Sequence, residues 1–243
     1  VTNLPDGPWN EIADATWTDI ERARRRVVLV PVGSLEQHGP HLPLDTDTRI
    51  AVAVARAAAN GRDGVAVAPA IAFGASGEHD AFPGTLSIGA AALTEVLLEL
   101  GRDASRHWDA LLFVNAHGGN HDAVAAALDR LRAEGRRCAA FSVAPSGGDA
   151  HAGRTETSML LHLDPAAVRG DAARPGERRS LTELMERLRS EGVRPVSPNG
   201  VLGDPTGATA AEGRRLLEEA AAGCAAALDS LLPKEAGEAR GRR

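Results

Sequence analysis

Lysine is nearly missing from this 243-residue chain, where Lys234 is the only one. Arginine and alanine are abundant in its place, a coding bias that carries no functional message. Cysteine is scarce as well. Cys138 and Cys224 lie in apolar surroundings without metal-type spacing, so a disulfide framework is not expected, and a reduced, cytoplasmic protein with two buried thiols is. There is no excess of positive charge: 27 basic residues against 33 acidic ones leave −6, which argues against a nucleic-acid binder. No apolar run approaches the ~20 residues that cross a bilayer, and no signal-peptide pattern opens the chain. A Ser-centred nucleophile elbow and a reactive-cysteine motif are both absent, which disfavours covalent catalysis.

What is present is an ordinary globular composition, 43% hydrophobic and 25% charged, at a length that suits one substantial core. Residues 1–15 carry Pro5, Gly7 and Pro8 and are expected to wrap the surface. A short amphipathic helix from Thr16 leads into Val27–Val32, an apolar, β-branched run that reads as a buried strand. A helix follows from Thr46. Further strands are expected over Val65–Ile71, Leu111–Val114 and Cys138–Val143, with helices over Ala90–Arg106 (Leu93, Leu97 and Leu100 inward) and Ala123–Glu134. Thr155 is expected to cap a helix with Met159, Leu160 and Leu163 inward. A charged surface helix over Ser180–Glu191 and a long Ala/Leu helix ending near Leu232 complete the pattern. Alternating strands and helices predict a three-layer α/β/α fold with a largely parallel (mixed) central sheet. One domain is expected over 1–232, with a frayed, charged tail over 233–243.

The chain is organised around Gly33-Ser-Leu-Glu36-Gln-His38-Gly-Pro-His41-Leu-Pro-Leu-Asp45-Thr-Asp47. This stretch lies between a strand end and a helix start, where ligands bind in open α/β sheets. Glu36 and His38 are two apart, so in extended backbone both point the same way. A lone Glu-x-His would more often just hydrogen-bond a loop. Here Asp47 and a second His-bearing strand end, His117, favour a metal role, with carboxylate and imidazole suiting Zn, Mn or Fe(II). Asp47 has two compatible readings, a helix-start charge and a carboxylate bridging two cations. Asp45 reads as a loop or capping residue, and His41 as one that packs the loop behind the ligands. Gly118 and Gly119 let another group approach closely, or open a helix whose N–H groups hold a substrate anion. Glu156 is either a favourable charge at a helix start or the third carboxylate of a two-metal cluster. His151 is a candidate acid or base. Glu78 and His79, in a Gly/Pro-punctuated loop, are candidate substrate contacts. His107, His121, Asp122 and His162 read as surface or packing residues.

With these residues assembled, the chain resembles the creatininase family of metal-dependent amidohydrolases. The matching blocks are the 33–47 stretch, Phe82-Pro-Gly-Thr85, Asn115-Ala-His-Gly-Gly-Asn120, His151-Ala-Gly-Arg-Thr-Glu-Thr-Ser158 and Gly200-Val-Leu-Gly-Asp-Pro205. Five blocks in order, spread over most of residues 27–215, make the resemblance specific. It implies one or two divalent metal ions held by Glu36, His38, a bridging Asp47 and His117. It further implies a catalytic or substrate-side role for His151 and a sixfold assembly. Creatininase carries a carboxylate ligand two residues after the strand-end histidine, where this chain has Gly119, and Glu156 is expected to supply it instead. The Trp pair that encloses creatinine has no clear counterpart among Trp9, Trp17 and Trp108. Within the family the resemblance is closest to a peptidase branch that removes a C-terminal Val-Tyr dipeptide from a modified precursor peptide. Deformylation of a ribosylaminopyrimidine formamide is the enzymatic alternative. A non-catalytic anion- or nucleotide-binding module using the Gly118–Gly119 loop is the alternative from another class.

Overall fold

A computed structural model describes residues 11–144 and 147–232. Of the surface-wrapping stretch expected over residues 1–15, only 11–15 are described, with a short 3-10 turn over Ile12–Asp14, and the tail expected from 233 lies outside the described residues. Four strands, β1 (Val27–Val32), β2 (Val65–Val67), β3 (Ala110–Asn115) and β4 (Cys138–Ser142), form one sheet in the order β2-β1-β3-β4. Every strand pairing in it is parallel, with Val27 opposite Val65 and Ala110, and Leu111 opposite Cys138. β1 and β3 are buried along their whole length, as continuous apolar runs in a doubly covered parallel sheet should be.

Side chains alternate across the sheet and divide the core in two. Val27, Leu29, Leu112 and Val114 face α2 (Thr46–Ala59), α5 (Arg154–Leu163) and α8 (Ala210–Leu231), meeting Ile50, Val54, Met159, Leu217, Cys224 and Leu228. Val28, Val30, Val32, Leu111 and Phe113 face α3 (Gly89–Ala104) and α4 (His121–Ala133), meeting Leu93, Leu97, Leu98, Leu128 and Leu131. Both cysteines are free and buried. A third, small cluster joins α6 (Leu181–Glu191) and α7 (Val193–Val196) through Leu184, Leu188, Val193 and Val196. The short α1 (Trp17–Arg22) is closed at its start by a Thr16–Asp19 capping box, and α6 by Ser180 and Glu183. No described helix is long and apolar enough to cross a membrane.

Three local expectations are corrected. The strand predicted over Val65–Ile71 stops at Val67, because Pro69 has no N–H to donate to a ladder. Ala68 and Ile71 still donate singly to Leu29 and Pro31. In α3 Leu93 and Leu97 are buried as expected, Leu98 is buried with them, and Leu100 is half-buried and packs against the same cluster. Thr155 does not cap α5. The cap position is Gly153, and the Asp149 carboxylate accepts from the backbone N–H groups of Arg154 and Thr155. Leu163, at the far end of that helix, is exposed rather than inward.

Candidate metal centre

The parallel strands deliver their carboxyl ends to one rim, and the chemistry-bearing side chains collect there. β1 ends at Val32 and runs into the 33–45 loop; β3 ends at Asn115, two residues before His117. Asp47 sits in the first turn of α2 and Glu156 in the first turn of α5. Glu36, His38, Asp47 and His117 are buried, and Glu156 is partly so. Asp47 divides its carboxylate: Oδ1 lies 3.1 Å from His38 Nε2, and Oδ2 lies 3.3 Å from His117 Nδ1. Oδ2 also accepts a 2.7 Å hydrogen bond from the Ser34 hydroxyl. Two donor triads share Asp47, one with Glu36 and His117 and the other with His38 and Glu156. Within each, the potential ligand atoms all fall within 4.8 Å of one another. Glu36, His38 and His151 form a third such group.

Several features fit this donor set to a divalent cation. Both oxygens of Glu36 are buried without a hydrogen-bond partner. His117 Nε2 is 3.1 Å from Glu36 Oε2, but it also faces the Ala75 carbonyl at 3.1 Å. An unpaired buried carboxylate is costly unless a cation joins it. His38 Nδ1 lies 3.1 Å from the Glu36 carbonyl, which aims the Nε2 lone pair at the cluster, the orientation common to metal-bound histidines. The Glu156 carboxylate is oriented by a 2.6 Å hydrogen bond from Ala152 N–H. Ala152 is the one described non-glycine residue with positive φ, at 51°, a strained conformation of the kind that gathers at functional sites.

The electrostatics are those of a cluster holding protons in place of cations. Burial opposes ionisation of Glu36, yet the His117 imidazole outweighs it and holds the carboxyl at about 2. Burial likewise opposes ionisation of Asp47, and His38 and His117 overcome it, keeping the carboxyl well below its ordinary value. Burial would push His38 down, but Asp47 drives it up to about 10. His117, also opposed by burial, is raised well above its ordinary value by Glu36 and Asp47. Burial lifts the Glu156 carboxyl to about 7 against the pull of His38. His151 and His79 go the other way. Burial, reinforced in His151 by His38 and His79, pushes His151 well below its ordinary value, and burial takes His79 to about 4. Both are neutral near pH 7.

The remaining candidates fall at different depths. His151 is buried with Nδ1 3.7 Å from Glu36 Oε1. His79 is buried rather than solvent-facing, its Nε2 3.5 Å from Glu36 Oε1 and its ring 4.5 Å from that of His151. Glu78 keeps solvent access and lies 3.8 Å from His117 Nε2. Gly119 has no room for a side chain: a Cβ there would come within 2.6 Å of Glu78 Oε1 and 2.5 Å of His117 Nε2. A carboxylate at 119 is therefore sterically excluded in this chain. His41 is buried, facing Thr157 Oγ1 at 2.9 Å; Asp45 pairs with Arg49 at 2.7 Å. His107, His121 and His162 are exposed. A groove of roughly 520 Å³ opens beside the cluster, with Gly118, Glu156, Met159, Leu202, Arg178 and Arg179 among its lining residues. Trp17 is exposed on α1 and Trp108 packs on the α3–α4 core, so neither lines the site; Trp9 lies outside the described residues.

Several residues of the site were not picked out in the sequence. Asn115 and Asn120 tie its loops together: Asn120 Nδ2 donates to the Gly33 carbonyl and its Oδ1 accepts from Ala75 N–H, while Asn115 Nδ2 donates to the His117 carbonyl. Ser34 and Gln37 are the others. The signal available was their interleaving with Glu36, His38 and His117 in loops punctuated by glycine and proline.

A family profile described as Creatininase (creatinine amidohydrolase) matches residues 13–228. A mycofactocin precursor peptide peptidase of Mycolicibacterium smegmatis is 57% identical over 205 residues, 82% of this chain and 83% of that protein. Its namesake from Mycobacterium tuberculosis is 48% identical over 236 residues, 93% of this chain and 94% of that protein. A crystal structure of creatininase superposes with a TM-score of 0.79 at 26% identity, covering 94% of this chain and all of the other. Similar solved creatininases include one described as Zn–Zn type, a mutant (TM-score 0.75, 27% identity, 93% of this chain and 99% of that one). Another is described as Creatininase Mn (0.76, 26%, 93% and 100%).

Proposed function

The chain belongs to the creatininase family, and from that premise we propose that it is a metal-dependent peptidase acting on the mycofactocin precursor peptide. The bond cut is the amide that releases the C-terminal Val-Tyr portion. The observation that carries the hydrolytic reading is Asp47 shared between two buried donor triads, beside a Glu36 carboxylate with no hydrogen-bond partner. The peptide substrate rests on relatives 48% and 57% identical over most of their length.

Glu36, Asp47 and His117 would hold one divalent ion, and His38, Asp47 and Glu156 a second, with Zn, Mn or Fe(II) suited to such donors. Bound there, the metal supplies Lewis acidity, which makes water a nucleophile at neutral pH and polarises the scissile carbonyl. The protein does the rest. Glu156 replaces the carboxylate that Gly119 cannot carry. His151, neutral and buried, accepts a proton at Nδ1 and returns it to the leaving nitrogen. The Gly118–Gly119 backbone borders the position where an oxyanion would develop. The groove beside Glu156 gives the released portion a place to lie. The same family membership supports a sixfold assembly.

A phosphate-bearing formamide is less well supported, because the groove's two arginines are engaged, Arg178 with Asp204 and Arg179 with Glu177. Creatinine is less well supported because neither Trp17 nor Trp108 is near the cluster. The test is to incubate metal-reconstituted protein with the precursor peptide and with a formamide panel, following products by mass spectrometry. Loss of the C-terminal portion from the peptide alone is expected. A purified protein that takes up no stoichiometric transition metal would instead point to the binding-module alternative.

A further inference from the structure

The Gln37 side chain stands between His79 and His151, and two backbone partners set the polarity of its amide. Gly39 N–H donates to Gln37 Oε1 at 2.9 Å, and Gln37 Nε2 donates to the Gly200 carbonyl at 3.0 Å. Both partners are backbone groups with fixed polarity. Exchanging oxygen and nitrogen would set N–H against N–H and carbonyl against carbonyl, so the amide has one permissible orientation. One amide hydrogen is committed to Gly200. The other has two nitrogens in reach, His79 Nδ1 at 2.9 Å and His151 Nε2 at 3.0 Å.

The main chain decides between them. His151 Nε2 also lies 2.8 Å from the Gln37 backbone carbonyl, which can only accept. His151 Nε2 therefore carries its proton and cannot accept from the amide. The second amide hydrogen goes to His79 Nδ1, which leaves the His79 proton on Nε2. Both imidazoles are thus Nε2–H tautomers, yet they present opposite faces to Glu36 Oε1. His79 turns its N–H toward that oxygen at 3.5 Å, and His151 turns its bare Nδ1 toward it at 3.7 Å.

We infer that Gln37 is a positioning residue: its backbone carbonyl fixes the tautomer of His151 and its side-chain amide that of His79, so that His151 offers a lone pair at Nδ1 and His79 a donor. The assignment rests on the catalytic reading above only for its effect on turnover. It also accounts for Gly200, which the proposed chemistry leaves unused. Gly200 has φ +80°, and a Cβ there would run into the Gln37 amide. In the proposed reaction, the imidazolium formed when His151 Nδ1 takes a proton keeps its Nε2–H on the Gln37 carbonyl, so the ring holds its orientation through the transfer. This resembles the service an orienting acceptor performs for a catalytic histidine elsewhere.

The first test needs no substrate. Long-range ¹H–¹⁵N spectra of histidine-labelled, metal-free full-length protein should show His79 and His151 both protonated at Nε2. Finding His79 protonated at Nδ1, or His151 unprotonated at Nε2, overturns the assignment even if the protein is a peptidase. The second test uses Gln37→Met, which keeps the side chain's bulk without its amide. His79 should lose its single tautomer while His151 keeps Nε2–H. Because His79 then no longer presents a fixed N–H to Glu36, kcat on the precursor peptide should fall about 10- to 100-fold, the range for residues that orient others, with KM within about twofold. Gln37→Glu should perform no better, because a carboxylate accepts where the amide donates. A Gln37→Met protein with unchanged tautomers and unchanged kcat overturns the inference. Normal tautomers in wild type together with no turnover of any peptide would overturn only the substrate reading.

Discussion

Asp47 gives one carboxylate oxygen to each of two imidazoles, so a change at this position touches both donor triads at once. Glu36 belongs to only one of those two triads, with the His117 imidazole 3.1 Å from its carboxylate. Glu36→Gln is expected to leave a folded protein whose turnover drops by more than the ~10–100-fold typical of residues behind the ligands. Circular dichroism and metal analysis on the same sample check this, and near-wild-type activity with metal demonstrably absent would sink the mechanism. Glu156→Gln should reduce bound metal from two ions per chain toward one, as read by elemental analysis. The cluster's protons yield a further expectation. His38, driven up to about 10, and His117, also raised, hold protons in the metal-free protein that ligation must expel. Glu156, lifted to about 7, is part-protonated as well, so metal uptake near neutral pH should release about two to three protons. Affinity should therefore weaken as pH falls from about 8 to about 6, since protons compete better there. Calorimetry in buffers of different ionisation enthalpy measures the number released, and a pH-independent affinity would refute it. Most of these side chains were legible in the sequence because the chemistry needs rare residue types at strand ends. Gln37, Asn115 and Asn120 were not, because amides signal nothing until their partners are in place.

At the level of elements, α5 matters most, since it carries Glu156 and packs closely on α8. Gly213 of α8 lies against the α5 backbone, where a Cβ would come within 2.8 Å of Met159 N and closer still to the Ser158 carbonyl. Gly213→Val should destabilise the protein by ~1–3 kcal/mol through overpacking and weaken metal binding by shifting α5. Denaturant melts with and without metal test both effects; an unaltered midpoint and affinity would show that the contact is slack. The strands and most helices could be read from periodicity alone. The exceptions have local causes. β2 stopped early at a proline, and α5 took its cap from Asp149 in the preceding loop rather than from Thr155. A cap supplied from several residues away leaves no pattern at the helix start itself.

For the molecule as a whole, the cluster joins segments far apart in sequence: the 33–47 loop, the 74–79 loop, the β3 end and the start of α5. A bound ion that the unfolded chain does not hold stabilises by mass action, about 2.7 kcal/mol at a hundredfold excess over Kd. Chelation should thus lower Tm, and re-addition of metal should restore it; a Tm indifferent to chelator would count against a metal tie. Light scattering should give a mass near six times 25.2 kDa if the sixfold assembly holds. The shared direction of the four strands bears on how the protein can be handled. Arg137, just before β4, donates to the Leu232 carbonyl, which anchors the end of the last helix at the amino-terminal side of the sheet. That is the side opposite the cluster, roughly 20 Å away by the length of a six-residue strand. A fluorescent reporter or surface tether joined after Leu232 would therefore leave from the far pole of the subunit, with the groove's mouth unobstructed.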